Sequence, residues 1–377
     1  MRLFFATDSF KIDHQPYPGF PILAHDDMTT FREGFKFLSY RLLKRGRVLS
    51  KNSWVTYGRD LYDFFPFLDA NDLDWRDVGE RFDTSVLSTY RDVCLTEYKL
   101  APSTVNRRLG LAIKFYQYAA RQGWVSRLPY DIEEIRVQHD RSFLAHTDRT
   151  GGVRATADVL LATKKTRIKL LNTEQVGMLL NAIEDAHLKL MIRLFLTTGI
   201  RKEELLTFPE SFVINPQKYS VKSHYVVNLT PQKMAVKGSH ERSIHIPKSL
   251  MEDLWQYTIH ERSARSKLGS EDFPQLFLND KGRPYSTISN TINTRLKKLG
   301  LPFEVYPHIF RHTYATHTLK SLMERNDLKF NPLMYVRDRL GHSSITTTEK
   351  YLHFIDDIAD GVMNDYQREI DNLVEAA

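Results

Sequence analysis

Apolar residues recur every three to four positions along most of this chain, and the spacing gives way to alternation in one segment, residues 211–247. The first pattern buries one face of a helix, the second one face of a strand. A chain written this way is expected to be mainly α, with one small antiparallel sheet set among helices. The alternating runs are 225–229 and 242–246. Between them Lys233, Lys237 and Gly238 read as an exposed turn joining paired strands.

The helical pattern falls into two blocks, as 377 residues suggest two or three domains. In the first block, residues 30–127, Phe31, Phe35, Leu38 and Leu42 keep helical spacing, and Trp54, Tyr57, Leu61 and Phe65 repeat it. A third helix is expected near 86–98. The clearest runs over 103–122, where Pro102-Ser103 is a start signal and Val105, Leu109, Ala112, Ile113, Tyr116 and Ala119 form the stripe to be buried. Its other face carries Arg107, Arg108 and Lys114, which suits either a phosphate backbone or plain solvent. Residues 1–29, with Pro16, Pro18, Gly19 and Pro21, read as extended, turn-rich chain rather than a folded unit. Residues 128–169 read as a linker, and its basic run, including Lys164 and Lys165, could follow a duplex or remain surface. The second block, 170–354, opens at Asn172-Thr173, a capping pair. Residues 355–377 return to helical spacing.

Lys and Arg outnumber Asp and Glu by 53 to 46, a net charge of +7, which favours a polyanionic partner. A single cysteine, Cys94, excludes an intramolecular disulfide and points to a reduced, cytoplasmic setting. Its apolar neighbours suggest a buried thiol. The N-terminus lacks the apolar run of a signal peptide. No stretch approaches the ~18 apolar residues of a membrane span, so no membrane partner is expected.

The chemistry concentrates late in the chain. His308-Ile-Phe-Arg311 is followed by Leu340-Gly-His342 and, nine residues on, by Tyr351. A phosphodiester repels nucleophiles, so an enzyme must neutralise its two non-bridging oxygens, supply a nucleophile and protonate the leaving oxygen. Arg201 and Arg311 suit the first task, because a guanidinium makes bidentate charge-assisted bonds to phosphate. His308 and His342 can donate to a phosphate oxygen or shuttle a proton. Tyr351 is the candidate nucleophile; its phenol, with an ordinary pKa of about 10, needs the arginines to favour the phenolate. Lys237, with Lys233 as the alternative, could protonate the leaving 5′-oxygen. Neither a metal nor ATP is expected, since the cations are side chains and the chain lacks a Gly-rich phosphate loop or an Asp cluster. His308, His312 and His317 could suggest zinc, but the glutamate of His-Glu-x-x-His is missing.

These residues resemble the tyrosine recombinase (phage integrase) family. Thr198-Gly-Ile-Arg201-Lys-Glu-Glu204-Leu is similar to that family's first arginine box. Residues 307–317, from Pro307-His308 to His317, are similar to the second, and residues 340–351, from Leu340-Gly-His342 to Tyr351, to the closing motif. The resemblance implies a helical core-binding domain and a mostly helical catalytic domain that clamp duplex DNA. It implies that Arg201, Lys237, His308, Arg311 and His342 assist Tyr351, with Glu204 supporting the pocket. The reaction it implies passes through a 3′-phosphotyrosine and a Holliday junction on a recombination site, within a homotetramer or beside a related recombinase. Residues 355–377 would then dock on a neighbouring protomer or pack on their own domain; both remain open. A topoisomerase-like or resolving enzyme of the same chemistry, and an inactive DNA-binding regulator, are the alternatives.

Overall fold

The computed structural model describes residues 1–46, 50–78, 85–136, 153–163, 168–219, 223–325, 330–349 and 351–352. Lys164, Lys165 and the expected helix at 355–377 lie outside them. The chain divides into two compact units, one covering the described residues up to 163 and the other those from 168.

The first unit begins with strands, which corrects the expectation for residues 1–29. β1 (Arg2–Phe5) pairs antiparallel with β4 (Pro21–Ala24), Leu3 opposite Leu23, around a hairpin of β2 (Lys11–Ile12) and β3 (Gln15–Pro16). Phe20 and Leu23 are completely buried. The prolines and Gly19, whose φ is +80°, do make turns. The strands between them are too short for alternation to be read without knowing what they pack on. Among the described residues four α-helices follow: α1 (Arg32–Leu38), α2 (Lys51–Ala70), α3 (Val86–Thr96) and α4 (Pro102–Arg121). The expected stripe of α4 is buried, and the core is aromatic. Phe115 meets Phe65 and Trp75 edge to face, each at 5.1 Å, the arrangement that ring quadrupoles favour.

The polar face of α4 is partly spoken for. Arg107 forms an ion pair with Asp60 and Arg108 with Asp63, both on α2, and the Tyr90 hydroxyl also donates to Asp63. Lys114 stands 6.0 Å from the Tyr57 ring centroid. The expected linker is also corrected in part. β5 (Ile132–Arg136) and β6 (Val153–Ala157) form an antiparallel pair, and Tyr130, Ala157 and Val159 join the first unit's core. Charged residues on a solvent-facing ribbon hid this folded segment.

The second unit is built on α6 (Ala186–Thr198), buried on all sides, after α5 (Thr173–Ala182). Asn172 and Gln175 close a reciprocal capping box at the start of α5. α7 (Lys202–Leu206) leads to β7 (His224–Leu229) and β8 (Arg242–Pro247), the sheet expected from alternation. Tyr225 faces Ile246 and Val227 faces Ile244, and these side chains point into the core. Then come α8 (Lys248–Tyr257), α9 (Ser263–Ser266), α10 (Thr291–Lys297), α11 (Pro307–Met323), α12 (Pro332–Leu340) and the short α13 (Thr346–Glu349). α11 packs on α6 and α12. Leu171 ties the entering chain to α11, its N–H donating to Thr313 Oγ1 at 2.9 Å and its carbonyl meeting His317 Nε2 at 2.7 Å. His187 is sealed between the hydroxyls of Tyr257 and Tyr285, at 2.9 and 3.1 Å. Burial holds it well below the usual imidazole range, at about 3. Among the described residues, no helix is long and apolar enough to cross a membrane.

Candidate active site

Two glycines set the site's frame. α6 ends at Gly199 (φ +61°) and α12 at Gly341 (φ +63°), both left-handed. Neither tolerates a side chain. A Cβ at Gly199 would lie 2.4 Å from the Tyr314 ring, and one at Gly341 would lie 2.7 Å from Arg242 Cδ. These turns bring the last carbonyls of two helices to one place, and arginines from three other elements meet them there.

Arg311, on α11, is almost wholly buried. Its Nη1 donates to Gly199 O at 2.7 Å and its Nη2 to Leu340 O at 2.6 Å. Burial and the neighbouring charges of Arg201 and Arg242 pull its pKa down to about 9. Arg201, just before α7, donates from Nη1 to Glu204 Oε1 at 3.0 Å and from Nη2 to Gly341 O at 3.3 Å. Its backbone N–H donates to Glu204 Oε2 at 2.8 Å, so one carboxylate caps α7 and holds the arginine. Arg242, at an inward position of β8, makes the opposing fork, with Nη1 to Glu204 Oε1 at 2.8 Å and Nη2 to Glu204 Oε2 at 2.5 Å. Its Nε donates to Arg339 O at 3.0 Å. Burial works against the Glu204 carboxylate, but Arg242 and then Arg201 outweigh it and hold the pKa at about 2.

Tyr351 lies beside this cluster, 1% exposed. Burial pushes its phenol up to about 12, against the pull of Arg311 and Arg201. Its hydroxyl and His312 Nδ1 are 3.0 Å apart. His342 lies nearly parallel to the phenol, ring centroids 6.4 Å apart, and its Nδ1 is 2.9 Å from Thr348 Oγ1. His308 is exposed on the first turn of α11 and meets the His312 ring edge to face at 4.4 Å.

The structure therefore brings together Arg201, Glu204, Arg311, His342 and Tyr351. His308 reaches them through His312. Lys237 is exposed on the turn between β7 and β8, beside Gly238 (φ +75°), and no hydrogen bond joins it to the cluster among the described residues. Lys233 lies over the Phe212 ring at 5.4 Å. Arg107 and Arg108 stand in the first unit, in the ion pairs described above.

Sequence reasoning missed Arg242 and His312. The signal for Arg242 was present, since an arginine at an inward position of an alternating strand must find an anion. In the sequence His312 reads only as a candidate metal ligand, although its place four residues after His308 on a helix puts both rings on one face.

Comparison with known proteins agrees with this architecture. The phage integrase family profile matches residues 169–357, and that of the phage integrase N-terminal SAM-like domain matches residues 37–123. The fold and these matches define a tyrosine site-specific recombinase. The chain belongs to the phage integrase family. It is similar to transposase A from transposon Tn554 of Staphylococcus aureus, 24% identical over 375 residues, covering 94% of this chain and 96% of that protein. Tyrosine recombinase XerC of Halalkalibacterium halodurans is 28% identical over 331 residues, covering 85% and 92%. Among solved structures, the Tn1549 transposon integrase in complex with a circular intermediate DNA aligns with a TM-score of 0.56 at 18% identity, covering 90% of this chain and 99% of that one. XerH recombinase bound to a palindromic difH substrate aligns at 0.54 and 17%, covering 89% and 87%.

Proposed function

We propose that this protein cuts and rejoins duplex DNA at a recombination site through a 3′-phosphotyrosine, exchanging strands by way of a Holliday junction within a homotetramer, or beside a related recombinase. The observation that carries the reading is the meeting of two buried or half-buried arginines, Arg201 and Arg311, next to the buried phenol of Tyr351. Arg311 spends donors on carbonyls from two helix ends, so its guanidinium is fixed before any phosphate arrives. Preorganised donors of this kind contribute roughly 3–4 kcal/mol each to a transition state that gathers charge on the phosphoryl oxygens. His342, held by Thr348, is placed to add a further donor.

Attack by Tyr351 forms the tyrosyl–phosphorus bond as the phosphorus–5′-oxygen bond breaks. Lys237 is the proton source for that oxygen. It is exposed on its turn and, among the described residues, makes no hydrogen bond to the arginine cluster, whereas Lys233 lies over the Phe212 ring. The covalent link keeps the energy of the broken bond, so resealing needs neither ATP nor metal. The named DNA complexes of the Tn1549 integrase and XerH support duplex DNA as the partner.

The test is trapping. The protein is incubated in EDTA with nicked duplexes drawn from a randomised pool by binding selection. A covalent adduct that Tyr351→Phe abolishes is expected. Arg311→Ala should abolish the adduct and keep most of the DNA affinity. A bound duplex with no adduct would overturn the reading in favour of a DNA-binding regulator. Strand exchange between two labelled duplexes separates recombination from simple relaxation.

A further inference from the structure

We propose that His312 is the base that takes the phenolic proton of Tyr351, and that His308 passes it on to solvent. The proposal rests on the DNA-cleaving reading above and adds a catalytic residue to it. His312 Nδ1 stands 3.0 Å from the Tyr351 hydroxyl, and both side chains are buried, 7% and 1% exposed. A general base must lie within about 2.6–3.2 Å of the proton it removes. His342 has its Nδ1 engaged with Thr348 and presents its ring plane to the phenol. His308 is exposed and touches the far partner of the pair, with its ring against that of His312 at 4.4 Å.

At neutral pH the Tyr351 phenol is protonated, because burial raises its pKa. It therefore donates to Nδ1, which puts the ring hydrogen of neutral His312 on Nε2. As the reaction starts, the phenolic O–H bond breaks and its proton moves to Nδ1. The freed oxygen pair forms the bond to phosphorus. The phosphorus–5′-oxygen bond breaks, and that oxygen takes a proton from Lys237. His312, now an imidazolium, releases its Nε2 proton through His308 to water. It is left with a hydrogen on Nδ1, aimed at the tyrosyl oxygen that must be reprotonated when the strand is rejoined. The four-residue spacing of the two histidines on α11 makes this relay a property of one helix face.

The test uses the full chain carrying His312→Asn, whose amide oxygen replaces Nδ1 as an acceptor but is not basic. Adduct formation is followed in single turnover on the selected nicked duplex from pH 5 to 9. A second duplex carries a 5′-bridging phosphorothiolate, whose leaving sulfur needs no proton. His312→Asn should bind DNA like the parent and form adduct roughly 10²- to 10⁴-fold more slowly. It should lose the decline in rate at acidic pH, and sulfur should not rescue it, whereas sulfur should rescue Lys237→Ala. A variant with the parental rate and pH profile would overturn the proposal, since Nδ1 would then only anchor the phenol. A faster variant would also overturn it, showing His312 to be a restraint. If the asparagine variant does not fold, His312→Gln carries the same readouts. Failure of the underlying reading looks different: the parent itself would form no adduct dependent on Tyr351.

Discussion

Glu204→Gln should destabilise the second unit severely while leaving the first unit unchanged. Glu204 is 1% exposed and receives the forks of Arg242 and Arg201 together with a backbone N–H. A folded-state pKa of about 2, against 4.5 for a free glutamate, corresponds to about 3 kcal/mol at neutral pH. Glutamine keeps one acceptor but turns an N–H donor toward a guanidinium and leaves two arginines, Arg201 and Arg242, without their anion. Removing one partner of a buried ion pair costs about 3–5 kcal/mol, so the two routes agree. The sign follows from the lowered pKa. The unfolded chain binds the proton first, so this stabilisation is complete above pH 4.5 and is lost as the pH falls toward 2. Hydrogen exchange of amides in α6 and α11, measured with the full chain, reports the second unit alone. A difference below about 1 kcal/mol would refute the reasoning, as would an identical acid dependence in parent and variant.

Gly199→Ala combines a positive φ with a Cβ 2.4 Å from the Tyr314 ring. It should lower the stability of the second unit by several kcal/mol, on the order of 3, in a denaturant titration. Arg108→Ala should weaken the first unit, seen as lost exchange protection in α2 and α4, because its partner is Asp63. A change in DNA affinity without that loss would restore Arg108 as a phosphate contact. His187 and His317 are held near 3 and 4 by burial, so the folded state resists protons that the unfolded chain accepts below about 6.5. Stability of the second unit should therefore decline from pH 6.5 toward 4, and His187→Phe should flatten that decline in the same exchange experiment.

Much of this was legible in the residues, and the limits have physical causes. The stripe on α4 and the alternation of β7 and β8 announced their elements, because each has a single buried face that repeats with a fixed period. Strands of two to five residues, as in β1 to β6, contain too little period to distinguish from turn-rich chain. The motif order placed Arg201, Arg311, His342 and Tyr351 in one site. It could not show that Glu204 serves two arginines, because Arg242 comes from a strand 38 residues away and is visible only once the sheet is folded. Nor could composition show that Arg107 and Arg108 pair with carboxylates on α2.

The arginine clamp is closed by bonds between residues far apart in the chain. Arg311 joins Gly199 across 112 residues, and Arg201 joins Gly341 across 140. Contacts of this separation form late in folding, because chain must be closed into large loops before they repay it. A chain still leaving the ribosome, with Gly341 and Tyr351 unmade, holds neither the full clamp nor the tyrosine proposed to attack. On the proposed function, the ability to break a phosphodiester thus arrives only with completion of the fold, and a truncated product that retains the first unit alone lacks the proposed site.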